Sequence, residues 1–224
     1  MVKATLYIIK IFLIVLMLTS CIDNSPIRTK YSYIKAESKE WLLNDSMRAN
    51  ECTMIDNFGI KNNFGAVSQS TGFDEGESGF AFVRVEKSYT ERIEQSSYSL
   101  YRVKFSYGIR AGLEENLGDM FHFGIDDTRL IYTLKSNEIN SFYCNVNNLK
   151  WRQTDQSVAN LVCITSEILD SFSVNNTIYK DVIHFKVTDN SGLVPKSTAT
   201  EVYYAKGVGF VKYILKSGVF FERE

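Results

Sequence analysis

Residues 101–110 alternate without a break: Tyr101, Val103, Phe105, Tyr107 and Ile109 are apolar or aromatic, and Arg102, Lys104, Ser106, Gly108 and Arg110 are polar or small. A period of two sends the two sets to opposite faces of a strand, so the segment is stable only with its apolar face against a core. Shorter apolar or β-branched runs follow the same logic at 80–85, 120–125, 130–134, 182–187, 202–205, 210–215 and 219–221. Turn chemistry separates many of them. Asn57-Phe58-Gly59, Asp126-Asp127, Asn175-Asn176, Asp189-Asn190-Ser191-Gly192, Lys206-Gly207 and Ser217-Gly218 accept positive φ or bond their own backbone.

Helical signal is sparse. Residues 36–46 suit a short helix, with Glu37, Lys39, Glu40 and Asp45 in water and Trp41 with Leu42 or Leu43 turned inward. Residues 113–117 and 166–171 have room for a turn or two each, and 66–79, rich in Ser, Gly, Gln, Asp and Glu, read as a loop. No run with 3.6 periodicity is long enough for a bundle or for the crossovers of a parallel sheet. The residues therefore predict a mainly antiparallel β body: a meander, a sandwich or an open barrel.

With 45% hydrophobic and 13% aromatic residues in 224, there is ample core for one domain, placed at 31–224. The 25 basic and 26 acidic residues are dispersed, which argues against nucleic acid as a partner.

The N-terminus carries a different signal. Lys3 and Lys10 precede the apolar run 11–18, which ends in Leu18-Thr19-Ser20-Cys21. The layout is that of a secretory signal, and about 20 apolar residues would be needed to span a membrane. Leu18-Thr19-Ser20-Cys21 resembles the lipobox of bacterial lipoproteins. The resemblance implies a signal peptide at 1–20, a diacylglyceryl (palmitate-type) lipid on Cys21, cleavage before it and acylation of the new amine. Two or three acyl chains anchor a protein where one binds only marginally. Residues 21–30 would then be the lipidated cysteine and a flexible tether. In Gram-negative lipoproteins an Asp directly after the cysteine favours inner-membrane retention. Here Ile22 holds that place and Asp23 follows, so the resemblance points to the outer membrane, with the body in the periplasm or beyond it.

Setting Cys21 aside leaves Cys52, Cys144 and Cys163. Residues 142–146 and 161–165 both read as strands. As a hairpin, the register that sets Phe142 opposite Thr165 also sets Cys144 opposite Cys163, making them the disulfide candidates. Such a bridge would stabilise the fold by roughly 3 kcal/mol. Two buried free thiols are the alternative.

Residues 176–187 and the block Glu201-Val-Tyr-Tyr-Ala-Lys-Gly-Val-Gly-Phe-Val-Lys-Tyr213 resemble the closing strands of uncharacterised bacterial lipoproteins and periplasmic proteins. Trp41 and the turn at 54–59 are similar to features of such lipoproteins. This resemblance implies a single antiparallel, strongly curved sheet, an open or half barrel, with one or two short helices; a β-sandwich is the alternative. It implies no catalytic residues. Gly207 suits a hairpin turn and Gly209 a close backbone approach. Lys206-Gly207-Val208-Gly209 is not a phosphate loop, because a strand rather than a helix N-terminus follows.

Motifs for chemistry are absent: there is no Gly-x-Ser-x-Gly, His-Glu-x-x-His or Cys-x-x-Cys. His122 and His184 each lie between strand aromatics and read as sheet-face residues rather than metal ligands. Asp74-Glu75, Glu114-Glu115 and Asp126-Asp127 read as solvated loop acids, since neighbours on a strand point to opposite faces. No catalytic residue, metal or cofactor is expected. The expectation is a non-enzymatic envelope lipoprotein that contacts another envelope component. The alternative is a carrier of a lipid or other apolar ligand, in which Tyr101, Val103, Phe105 and Tyr107 line a cavity of several hundred Å³.

Overall fold

The computed structural model describes residues 28–80, 83–99, 103–112, 118–126, 128–135, 138–143, 150–152, 162–190, 192 and 194–224. Cys21, Tyr101, Cys144, Glu114, Glu115 and Asp127 lie outside these, as do the signal segment and most of the tether. The tether's last residues belong to a strand, β1 (Arg28–Ser32).

The chain forms two compact units, a small one from residues 1–31 and 75–89 and a large one from 32–74 and 90–224. In the small unit Tyr31 stacks on Tyr89 at 5.0 Å, and Lys87 pairs with Glu75 at 2.6 Å.

The large unit is built on two sheets. One runs through β5 (Val83–Tyr98), which belongs to this unit from Thr90 on, β6 (Lys104–Arg110), β7 (Met120–Ile125), β8 (Thr128–Thr133), β9 (Glu138–Tyr143) and β10 (Lys150–Arg152); β4 (Ser68–Phe80), which belongs to it up to Asp74, also pairs with β5. The other is seven-stranded and antiparallel, in the order β11 (Val162–Val174), β12 (Thr177–Asp189), β13 (Ala199–Ala205), β14 (Gly209–Leu215), β15 (Phe220–Arg223), β2 (Cys52–Asp56) and β3 (Lys61–Phe64). Neither sheet closes or curls strongly, so the single curved sheet implied by the C-terminal block is corrected to two open sheets.

The alternation at 101–110 explains why the sheets meet. Phe105, Tyr107 and Ile109 are at most 3% exposed, and Val103 packs against the same cluster. From the opposite sheet come Phe185, Tyr204, Phe210 and Tyr213: Phe105 meets Phe210 at 4.7 Å, Tyr107 meets Tyr204 at 5.5 Å, and Phe123 meets Phe185 at 5.6 Å. Phe64 stacks face to face on Phe105 at 3.7 Å. Apart from the closer Phe64–Phe105 stack, these centroid spacings are those of close-packed aromatic pairs.

Residues 36–46 form two helices rather than one. Helix α1 (Ala36–Lys39) stops, Trp41, Leu42 and Leu43 are buried in the segment after it, and α2 (Asp45–Ala49) restarts with Asn44 as N-cap accepting from the Met47 N–H at 2.8 Å. A continuous helix could not turn three successive apolar side chains to one core. Instead Tyr204 donates its hydroxyl to the Trp41 carbonyl at 2.6 Å, and Gln95 bonds the Leu43 N–H and carbonyl, fixing the segment against both sheets.

Three further expectations are corrected by pairing. Residues 68–80 are strand β4, because their charges find partners: Asp74 bridges Arg92 and Arg110. Residues 166–171 lie within β11, in register with β12 from Ser166↔Phe185 onward. Phe142 pairs with Leu130 and Trp151, and Thr165 with Lys186, so the hairpin that would set Phe142 opposite Thr165 is not formed. No helix among the described residues is long and apolar enough to cross a membrane.

Candidate functional site

The β11–β12 hairpin is longer than the strand beside it. β13 pairs with β12 only from Val182↔Ala205 to Lys186↔Glu201, and the Lys206 N–H makes one more bond to the Asp181 carbonyl. Beyond that point the backbone takes positive φ at Asp181 (50°), and the tip turn follows with Asn175 (48°) and Asn176 (66°). In a flat ladder Phe172, which stands opposite Tyr179, would lie well over 10 Å from Tyr203 at about 3.4 Å per residue. It stacks on Tyr203 at 4.0 Å instead, and Asn175 donates its side-chain N–H to the Arg223 carbonyl at 2.8 Å. The distal half of the hairpin is thus a strap lying over β13 and β14 with its tip on β15. Under it a second apolar cluster forms from Val174, Val182, Ala205 and Val211, joined by Phe172 and Tyr179.

Where the strap leaves the sheet it forms one wall of an open groove of about 570 Å³. Ile178, Tyr179, Lys180 and Asp181 come from the strap; the segment after α1 supplies Leu42, Leu43 and Asn44, and the β13–β14 turn supplies Lys206, Gly207 and Val208. Ile178 is 69% exposed, large for a branched apolar residue beside such a groove. Lys206 pairs with Glu40 at 2.7 Å and stands over the Trp41 ring. Gly207 has φ +69°, as its turn position requires. Gly209, at φ +99°, packs so tightly that a Cβ there would meet Leu43 Cδ2 at 2.8 Å.

At the root of the strap stands His184. Its Nδ1 is 2.9 Å from Glu167 Oε1 and its Nε2 3.1 Å from Glu201 Oε1, while the Tyr203 hydroxyl donates to the same Glu201 oxygen at 2.7 Å. The imidazole also stacks on Tyr203 at 4.3 Å. Burial alone would raise the Glu201 carboxyl. The hydrogen bonds from Tyr203 and His184 and the charge of Lys186 outweigh it and hold the acid below the usual carboxylate range. Burial, then the bond to Glu201, pushes the Tyr203 hydroxyl well above its ordinary value.

His122 is on the other sheet, with Nε2 2.8 Å from Glu94 Oε2. Gly108, between them in the ladder, leaves them the room: a Cβ there would meet the imidazole at 2.4 Å and Glu94 at 2.7 Å. The two histidines therefore each meet carboxylates and not one another. Among the described residues no group of His, Cys, Asp and Glu suits a metal ion.

The cavity candidates Phe105 and Tyr107 face the packed core, beside a void of about 10 Å³, room for about one water. That void also touches Cys52, whose thiol is pushed up by burial against a smaller opposing effect of Arg223. Sequence reasoning missed both groove and strap. Their only trace in the sequence is the Asn175-Asn176 turn signal. Compared with family models, curated proteins and solved structures, the chain matches none.

Proposed function

We propose that this chain is a bacterial envelope lipoprotein, anchored through lipid on Cys21, whose body is a non-enzymatic interaction module engaging another envelope component through the strap-walled groove. The observation carrying the module reading is the contrast between core and surface. Phe105 and Tyr107, which a carrier would turn toward its ligand, are instead packed among Phe64, Phe210 and Tyr204. The roomy concavity is open, and its lining mixes the apolar Leu42, Ile178 and Val208 with Lys39, Lys180, Lys206, Glu40 and Asp181. Mixed lining of this kind suits a polypeptide surface better than an acyl chain, which carries nothing to satisfy the charges.

The anchor is tested by labelling cells with a palmitate analogue. Wild type takes up label and fractionates with membrane, and Cys21→Ala loses both; label retained by the variant overturns the anchor. The module is tested by native mass spectrometry of the body beginning at residue 28, which is expected to fly without bound lipid. A stoichiometric lipid adduct would restore the carrier reading.

A further inference from the structure

The strap is held by the tip bond from Asn175 to Arg223, the Phe172 stack on Tyr203, the apolar cluster beneath it around Val174, and the polar cluster at its root. Of these contacts, only the root includes an imidazole. Glu167 faces His184 from β11, Glu201 and Tyr203 face it from β13, and Lys186 lies on its own strand, 3.8 Å from Glu201. The neighbouring Lys212, opposite Tyr203 on β14, is occupied by Glu222 at 2.7 Å. Both imidazole nitrogens are thus aimed at carboxylate oxygens. Only a protonated imidazole has an N–H to give at each; the neutral ring must turn a lone pair toward one acid.

We propose that His184 is a pH-sensitive latch that clamps the β11–β12 strap down at acid pH and releases it as pH rises, so setting the width of the groove the strap walls. The mechanism follows from the contacts. The imidazolium bridges β11 to β13 across β12 and leaves both acids paired. Its loss of a proton removes one bond and sets a lone pair against a carboxylate. Tyr203 shares Glu201 with His184 and carries Phe172, so a disturbance at the root reaches the strap's underside through one ring. The significance of groove width rests on the docking reading above; the latch does not.

Hydrogen–deuterium exchange on the body, corrected for intrinsic exchange at about pH 5.5 and pH 8, tests it directly, since imidazole changes charge in that interval. Peptides covering 171–180 are expected to exchange about three- to tenfold faster at the higher pH, the effect of one hydrogen bond. In His184→Gln this difference disappears, whatever the absolute rate. Glu167→Gln, at a largely exposed position, shrinks it without endangering the fold, because an amide can face either a ring N–H or a lone pair. Equal rates at both pH values in the wild type overturn the latch, and so does a difference that survives in His184→Gln or vanishes only in His122→Gln. No partner enters this measurement, so failure of the docking reading leaves it untouched, and a failed latch leaves the docking reading standing.

Discussion

Phe105 shows how one side chain joins two sheets. It stacks on Phe64 and meets Phe210 and Tyr213 from the opposite sheet. Phe105→Ala is therefore expected to cost about 3–5 kcal/mol, read as a lower urea midpoint with an unchanged slope. Gly209→Ala is a second test, since it combines a left-handed φ with a 2.8 Å approach to Leu43. A loss of about 2 kcal/mol or more is expected, measured the same way. Cys52 gives a chemical readout: burial raises its thiol above the ordinary range, so a thiol reagent near pH 7 should label the Cys52 peptide slowly until denaturant is added. At this scale the sequence was informative. The inward set Phe105, Tyr107 and Ile109 and the roles of Gly207 and Gly209 follow from period and φ alone. His184 and Glu201 were not legible as a pair, because seventeen residues and a strand register separate them.

The strap is tied down through contacts of its own. Phe172→Ala removes its stack on Tyr203, and faster exchange across 171–180 with little change in the global midpoint is the expected result. Glu201 adds a pH sign. Its folded-state pKa lies below the unfolded value, so its contribution is present above the ordinary carboxylate range and is lost as pH falls through the lowered one. Glu201→Gln should therefore destabilise by about 1–2 kcal/mol at pH 7 and by less near pH 3.5, as urea midpoints at the two values would show. Strands such as β7, β14 and β15 were readable from apolar runs bounded by turn residues. β4 was not, because its polar composition mimics a loop until the partners of Asp74 are known. Likewise 166–171 reads as helical only until β12 supplies its ladder.

For the whole molecule, the decisive feature is invisible in local pattern: β15 at the C-terminus lies between β14 and β2, from near the start of the body. Phe221, Glu222 and Arg223 pair with Asp56, Ile55 and Met54, and Lys61 forms an ion pair with Glu224. Period and turn chemistry rank segments as strands but carry no information about which distant ones become neighbours, so they left a meander, a sandwich and an open barrel all open, and the single curved sheet that the C-terminal resemblance implied is replaced by two open ones. Deleting 220–224 should unpair β2 and β3 from the rest of their sheet, lowering the thermal midpoint of the body and exposing the Cys52 thiol to reagent.

That strand order also sets a clock on assembly. Residues 52–64 leave the ribosome long before 220–223, on the order of ten seconds earlier at about 5–20 residues per second. Until the last strand arrives they have no neighbour to bridge them to β14. A nascent chain of this design therefore cannot complete its second sheet until residues 220–223 have emerged.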